Sequence, residues 1–148
     1  MQDTAINVLR LTPAQVVVYW PLLRKLVAKA IQRVEEPTLA NIYTCLMEGI
    51  LDLWILADRS ENPKPQGVVL AGATLDLLVG YKDYQIYGLF AFSGRSDSEW
   101  QQIIGVLEKW ARGNHCTRLV AYTETPRVAE IAKLVGARAE TIRLEKEL

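Results

Sequence analysis

The sequence has no excess of either charge, almost no histidine and few thiols. Seventeen Lys plus Arg balance seventeen Asp plus Glu across 148 residues. No whole-molecule field therefore gathers nucleic acid or an anionic membrane, and neither is an expected partner. The lone His115 and two cysteines far apart in the chain, Cys45 and Cys116, leave no cluster with metal-ligand spacing. They suit a reducing, cytoplasmic setting better than a disulfide framework. Long apolar runs are also missing. The most apolar stretch, Val68 to Val79, is too short to span a bilayer and contains Asp76, and the N-terminus lacks a basic-then-apolar signal pattern. With no internal repeat or low-complexity tract, a chain of this length reads as one domain, residues 1–148, around a single core.

What is present is a clear succession of elements. Ile6 to Leu11 alternates as a half-buried strand does, and Thr12-Pro13 supplies an N-cap and a first-turn proline for a helix. In that helix Leu22, Leu23, Leu26, Val27, Ala30, Ile31 and Val34 form an apolar stripe, with Arg24, Lys25, Lys29 and Arg33 opposite and a kink or restart expected at Pro21. Glu35-Glu36-Pro37 breaks the run. Thr38 is the expected cap of a second helix carrying Leu39, Ile42, Tyr43 and Leu46, with Gly49 as its terminator. Leu51 to Ala57 and Gly67 to Gly80 read as an antiparallel hairpin across the breaker-rich "DRSENPKPQ". A turn at Tyr81 to Asp83 then leads into Tyr84 to Phe92, apolar enough for a central strand covered on both faces.

The stretch "SGRSDSEW" follows. Ser96 with Glu99 three residues on fits a capping box, and Trp100, Ile103, Ile104, Leu107, Trp110 and Ala111 mark one face of the helix it starts. A strand over Thr117 to Tyr122, a cap-and-proline start at Thr125-Pro126, a short helix ended by Gly136 and an alternating strand from Glu140 to Leu148 close the chain. The order is β-α-α-β-β-β-α-β-α-β.

That order resembles the GCN5-related N-acetyltransferase (GNAT) fold, an α/β fold with a mixed, mainly antiparallel sheet flanked by about four helices. The wording "WQQIIGVLEKWARGNHC", the Leu53-Trp54 strand and the ending "LEKEL" look closest to small GNAT-like proteins of bacteriophages. The resemblance implies an acetyl-CoA site between the fourth and fifth strands, with the pyrophosphate on the loop Ser93, Gly94, Arg95 and Ser96. Small residues there admit the backbone to the phosphate, and a helix N-terminus supplies donors. Of the family pattern [QR]-x-x-G-x-[GA] this loop keeps Gly94 alone, with Ala91 and Ser96 at the other two marked positions. Asp97 and Glu99 add negative charge where the phosphate would lie. The family's proton-donating tyrosine, four residues before a Gly-Phe pair, is replaced by Ala132 ahead of Gly136-Ala137.

Tyr122 is then the candidate acid, with Tyr87 a substitute, and Glu124 the candidate base at the open end of the sheet. Asp76 is a second carboxylate candidate, read equally as a strand-face charge or a local hydrogen-bond acceptor. His115 has no catalytic role in this reading. Two functions compete. One is an atypical acyl-CoA-dependent N-acyltransferase acting on an amine. The other is a non-catalytic binding or structural protein, with a protein partner or a second copy of itself, such as a virion-associated component of a bacteriophage; a large apolar patch away from the cleft would favour it.

Overall fold

The structure, a computed structural model, describes residues 6–61, 64–91, 96–121, 126–137 and 146–147. Its elements are β1 (Ile6–Arg10), α1 (Pro13–Ile31), α2 (Glu36–Met47), β2 (Asp52–Asp58), β3 (Pro65–Leu75), β4 (Lys82–Ala91), α3 (Asp97–Gly113), β5 (Arg118–Ala121) and α4 (Pro126–Leu134). The five strands lie in the order β1-β2-β3-β4-β5, antiparallel except for the parallel pair β4–β5. The expected closing strand, Glu140 to Leu148, falls almost wholly outside the described residues.

The sheet is covered on both faces. On one, Leu53, Ile55, Val68 and Leu70 meet Leu23, Val27, Leu39 and Ile42 of α1 and α2. On the other, Trp54, Leu56, Val69 and Tyr84 meet Trp100, Ile103 and Leu107 of α3 and Ile131 of α4. Alternate residues of β2 and β3 thus feed opposite cores, which explains why these strands read as unbroken apolar runs. Among the described residues no helix is long and apolar enough to cross a membrane.

Four local expectations are corrected. α1 does not restart at Pro21 but continues through it, the ring being exposed where water can take the carbonyl it leaves unpaired. Leu22 and Val34, placed in the stripe by spacing, are exposed. α2 begins earlier than Thr38, with Glu35 as N-cap and the rigid Pro37 in its first turn, a position that needs no amide hydrogen. β3 ends at Leu75 rather than Gly80. Asp76 reverses the chain there: its amide donates to the Tyr81 carbonyl (2.8 Å), and its carbonyl accepts from Gly80 (2.8 Å), whose φ of +73° favours glycine.

Candidate functional site

β4 carries an irregularity in its middle. Leu70 pairs with Gly88 but the next residue, Ala71, pairs with Ile86, leaving Tyr87 as an extra residue on β4. Such a bulge bends its strand and increases the local twist. It also changes which residues face which core: before it Tyr84 and Ile86 point to the α3 side, after it Leu89 does, while Phe90 joins the α1 side. Gly88 is then turned toward α1 and lies so close to it that an added Cβ would stand 2.7 Å from the Ala30 carbonyl oxygen.

The described parallel pairing lies just before the bulge. β5 pairs with β4 from Asp83–Arg118 to Ile86–Ala121, and β4 continues to Ala91 with no β5 partner among the described residues. The described part of the chain resumes at Ser96, the N-cap of α3, beyond the end of β4.

The first turn of α3 is built as its sequence indicates. The Ser96 hydroxyl accepts from the Glu99 amide (3.2 Å), and the Glu99 carboxylate turns back to accept from the Ser96 amide (3.3 Å) and hydroxyl (3.2 Å). Glu99 is buried by this inward turn, and Asp97 is exposed. Of the two carboxylates expected to oppose a phosphate, Asp97 is thus the solvent-facing one. Tyr87, at the bulge, is part-exposed, and its phenol is pushed above the usual tyrosine value first by burial and then by Cys45 of α2. It remains protonated near neutrality.

Of the residues named from sequence, Ser96 is the N-cap of α3; Ser93, Gly94, Arg95, Tyr122 and Glu124 lie outside the described residues. Ala132 sits in the last turn of α4, half-buried, with its carbonyl accepting from Val135 and Ala137. Nothing at that position can give up a proton. Asp76 is removed from the site altogether. It lies at the opposite end of the sheet, its carboxylate accepting from the Leu78 amide (3.0 Å) and from Arg118 (3.3 Å). His115 is exposed on the turn before β5, at that same far end.

That end also holds the strongest polar cluster among the described residues, which spacing alone did not suggest. Tyr84, 1% exposed, donates its hydroxyl to Asp52 (2.7 Å) and accepts from the Trp54 indole (2.9 Å). The Trp110 indole donates to the same Asp52 oxygen (3.2 Å), and Arg10 approaches the other oxygen (3.5 Å) with its guanidinium 4.2 Å over the Trp110 ring. Burial and the Asp52 carboxylate push the Tyr84 phenol far above its usual value. Among the described residues no buried side-chain donor or acceptor lacks a partner, so the cluster fixes β1, β2, β4 and α3 together.

No protein-family model matches the sequence, and no curated protein matches it. Solved structures do. The structure of AAC(6')-Iy with the bisubstrate analogue CoA-S-monomethyl-acetylneamine aligns at TM-score 0.74 and 14% identity, over 98% of this chain and 99% of that one. A probable acetyltransferase gives 0.73 at 13% identity over 95% and 99%. Ribosomal-protein-alanine N-acetyltransferase from Brucella melitensis biovar Abortus 2308 gives 0.66 at 17% identity over 97% and 99%. Identities this low speak to architecture, and the architecture of this chain is the GCN5-related N-acetyltransferase fold.

Proposed function

We propose that this chain holds an acyl-CoA thioester in the opening beyond the Ile86–Ala121 pair and acts as an atypical N-acyltransferase on an amine, with a site degenerate relative to the family. The observation that carries this reading is the bulge at Tyr87 of β4, just past the described pairing of β4 with β5, with the capped start of α3 following the end of β4 in the chain. The similarity to a structure that contains a CoA-based analogue supports it. When bound, the acetyl-CoA supplies the activated acyl group.

Ser93, Gly94, Arg95 and Ser96 would hold the pyrophosphate, against competition from the capping box that already occupies Ser96. Backbone amides of β4 past the bulge would orient the pantetheine chain and donate to the carbonyl oxygen as it gains charge. Glu124 would take a proton from the amine and Tyr122 return one to the departing sulfur. With Ala132 in the family's tyrosine position, the reaction would rest on positioning and backbone donors, giving slow turnover. Calorimetry with acetyl-CoA and release of free thiol in the presence of primary amines test this. Binding with slow thiol release is expected; absence of heat at millimolar acetyl-CoA overturns it.

The second reading, a non-catalytic binding or structural protein such as a bacteriophage virion component, is favoured by one observation: large apolar side chains are exposed at the end of the molecule away from the opening.

A further inference from the structure

Where α1 ends and α2 begins, the surface carries a groove of about 360 Å³. Arg24, Lys25, Lys29 and Glu36 form its sides, and the buried Ala28 and Leu39 form an apolar floor. Its size is at the lower end of small-molecule pockets. The groove adjoins the candidate site through α1. The Lys29 ammonium stands 5.5 Å from the ring centroid of Phe90, the residue of β4 that joins the α1 side past the bulge. One residue on, the Ala30 carbonyl packs so closely on Gly88 that no Cβ fits between them. The last turns of α1 are thereby fastened to the part of β4 on which the acyl-CoA reading depends.

The sign of the groove follows from all the charges around it. Between Asp3 and Glu35 the sequence has no acid. Arg24 is matched by Glu36. Arg33 and Glu35, on the connection to α2, are of opposite sign, and α2 carries no further charge before Glu48 at its far end. Gly88 to Ala91 of β4 bring none. The C-terminus of α1 and the N-terminus of α2 meet here, and their end charges oppose each other. Lys25 and Lys29 remain, both exposed and neither with a carboxylate partner among the described residues. Two uncompensated ammonium groups thus stand over an apolar floor.

We propose that this groove binds a small carboxylate-bearing molecule and, resting on the acyltransferase reading above, that this molecule is the acceptor: an amine with an anionic group close by, such as the N-terminal end of an acidic peptide. The two lysines meet the carboxylate as point charges, and Ala28 and Leu39 cover its carbon stem. A polyamine would bring like charge against them and is selected against.

Thiol release from acetyl-CoA, with glycylglutamate amide, glycylglycine amide and glycyllysine amide as acceptors, tests the selection. Amide-resolved NMR with glycylglutamate amide alone tests the binding without any turnover. In low salt kcat/KM for glycylglutamate amide should exceed that for glycyllysine amide at least ~10-fold, and the ratio should narrow as salt screens the charges. Lys25→Gln combined with Lys29→Gln should bring the ratio to within about 2-fold, whereas Lys109→Gln, at an exposed position of α3, should leave it as in the wild type. Glycylglutamate amide should shift the amides of Lys25 to Gln32, and the double substitution should abolish this. Thiol release at equal kcat/KM for the three acceptors, or with glycyllysine amide preferred, overturns the proposal while leaving the acyltransferase reading standing. Shifts in Lys25 to Gln32 with no thiol release from any acceptor uphold the carboxylate groove and overturn its role as an acceptor site together with that reading. Absence of both overturns the groove as well.

Discussion

Replacing Tyr84 by Phe removes one oxygen from the centre of the polar cluster and leaves the ring in place. Two interactions go with it. Asp52 loses a 2.7 Å donor, and the Trp54 indole, 3% exposed, loses its acceptor. A hydrogen bond to a carboxylate contributes about 1.5–3 kcal/mol, and a buried N–H left without a partner costs about 1–3 kcal/mol. Relaxation recovers part of each, so a loss of about 2–4 kcal/mol is expected, read from urea midpoints at pH 7. The pH dependence is more specific. Because the folded phenol is held well above its ordinary value near 10, its contribution is complete below pH 10 and is lost as the unfolded chain ionises above it. The stability gap between wild type and Tyr84→Phe should therefore shrink by about 1.4 kcal/mol for each pH unit above 10. A gap that is constant from pH 7 to 11, or below ~0.5 kcal/mol throughout, would refute the placement of Tyr84 in a buried cluster.

Trp110→Ala should cost about 3 kcal/mol or more, through the lost edge contact with Trp54 and the stranded Arg10 and Asp52, while exposed Lys109→Ala stays within about 0.5 kcal/mol; equal denaturation midpoints would contradict this. Gly88→Val should destabilise by several kcal/mol, because the nearest atoms are backbone of α1 rather than a movable side chain; near-neutral melting would remove the close approach from the account. Asp97→Asn should tighten acetyl-CoA binding several-fold in low salt, with the gain fading at high salt, as calorimetry at two ionic strengths would show. Ser96→Ala should lower stability by about 1 kcal/mol, checked by urea unfolding, since it breaks the capping box.

The parts of the fold legible in the sequence were those with a local chemical marker. Thr12-Pro13 opens α1 through a capping box with Gln15, Ser96 and Glu99 open α3, and Gly49 and Gly136 end their helices with positive φ. The overrun of β3 has a physical cause: Leu77, Leu78 and Val79 are apolar but exposed, and a pattern read as burial cannot separate a strand from a surface patch. Asp76 and Gly80 were the signals for the turn. The bulge was hidden because Tyr84 to Phe92 is, Gln85 apart, near-continuously apolar and shows no clear alternation to fall out of phase; Gly88, an isolated strand glycine, was its one trace. The Asp52 cluster joins residues 32 and 58 positions apart, beyond any local pattern. Of the candidate site, the capping of Ser96 was readable because it is local, whereas the bulge at Tyr87 is a register change between separate strands.

The most direct test of the account is an amide-resolved NMR titration of the protein with acetyl-CoA. The proposed acyl-CoA site predicts shift changes centred on Gly88 to Ala91 and Ser96 to Ser98, saturating with a dissociation constant of roughly 10–1000 µM because the capping box competes for the helix end. No change at millimolar acetyl-CoA, or changes centred on Leu77 to Tyr81 at the other end of the sheet, would contradict it.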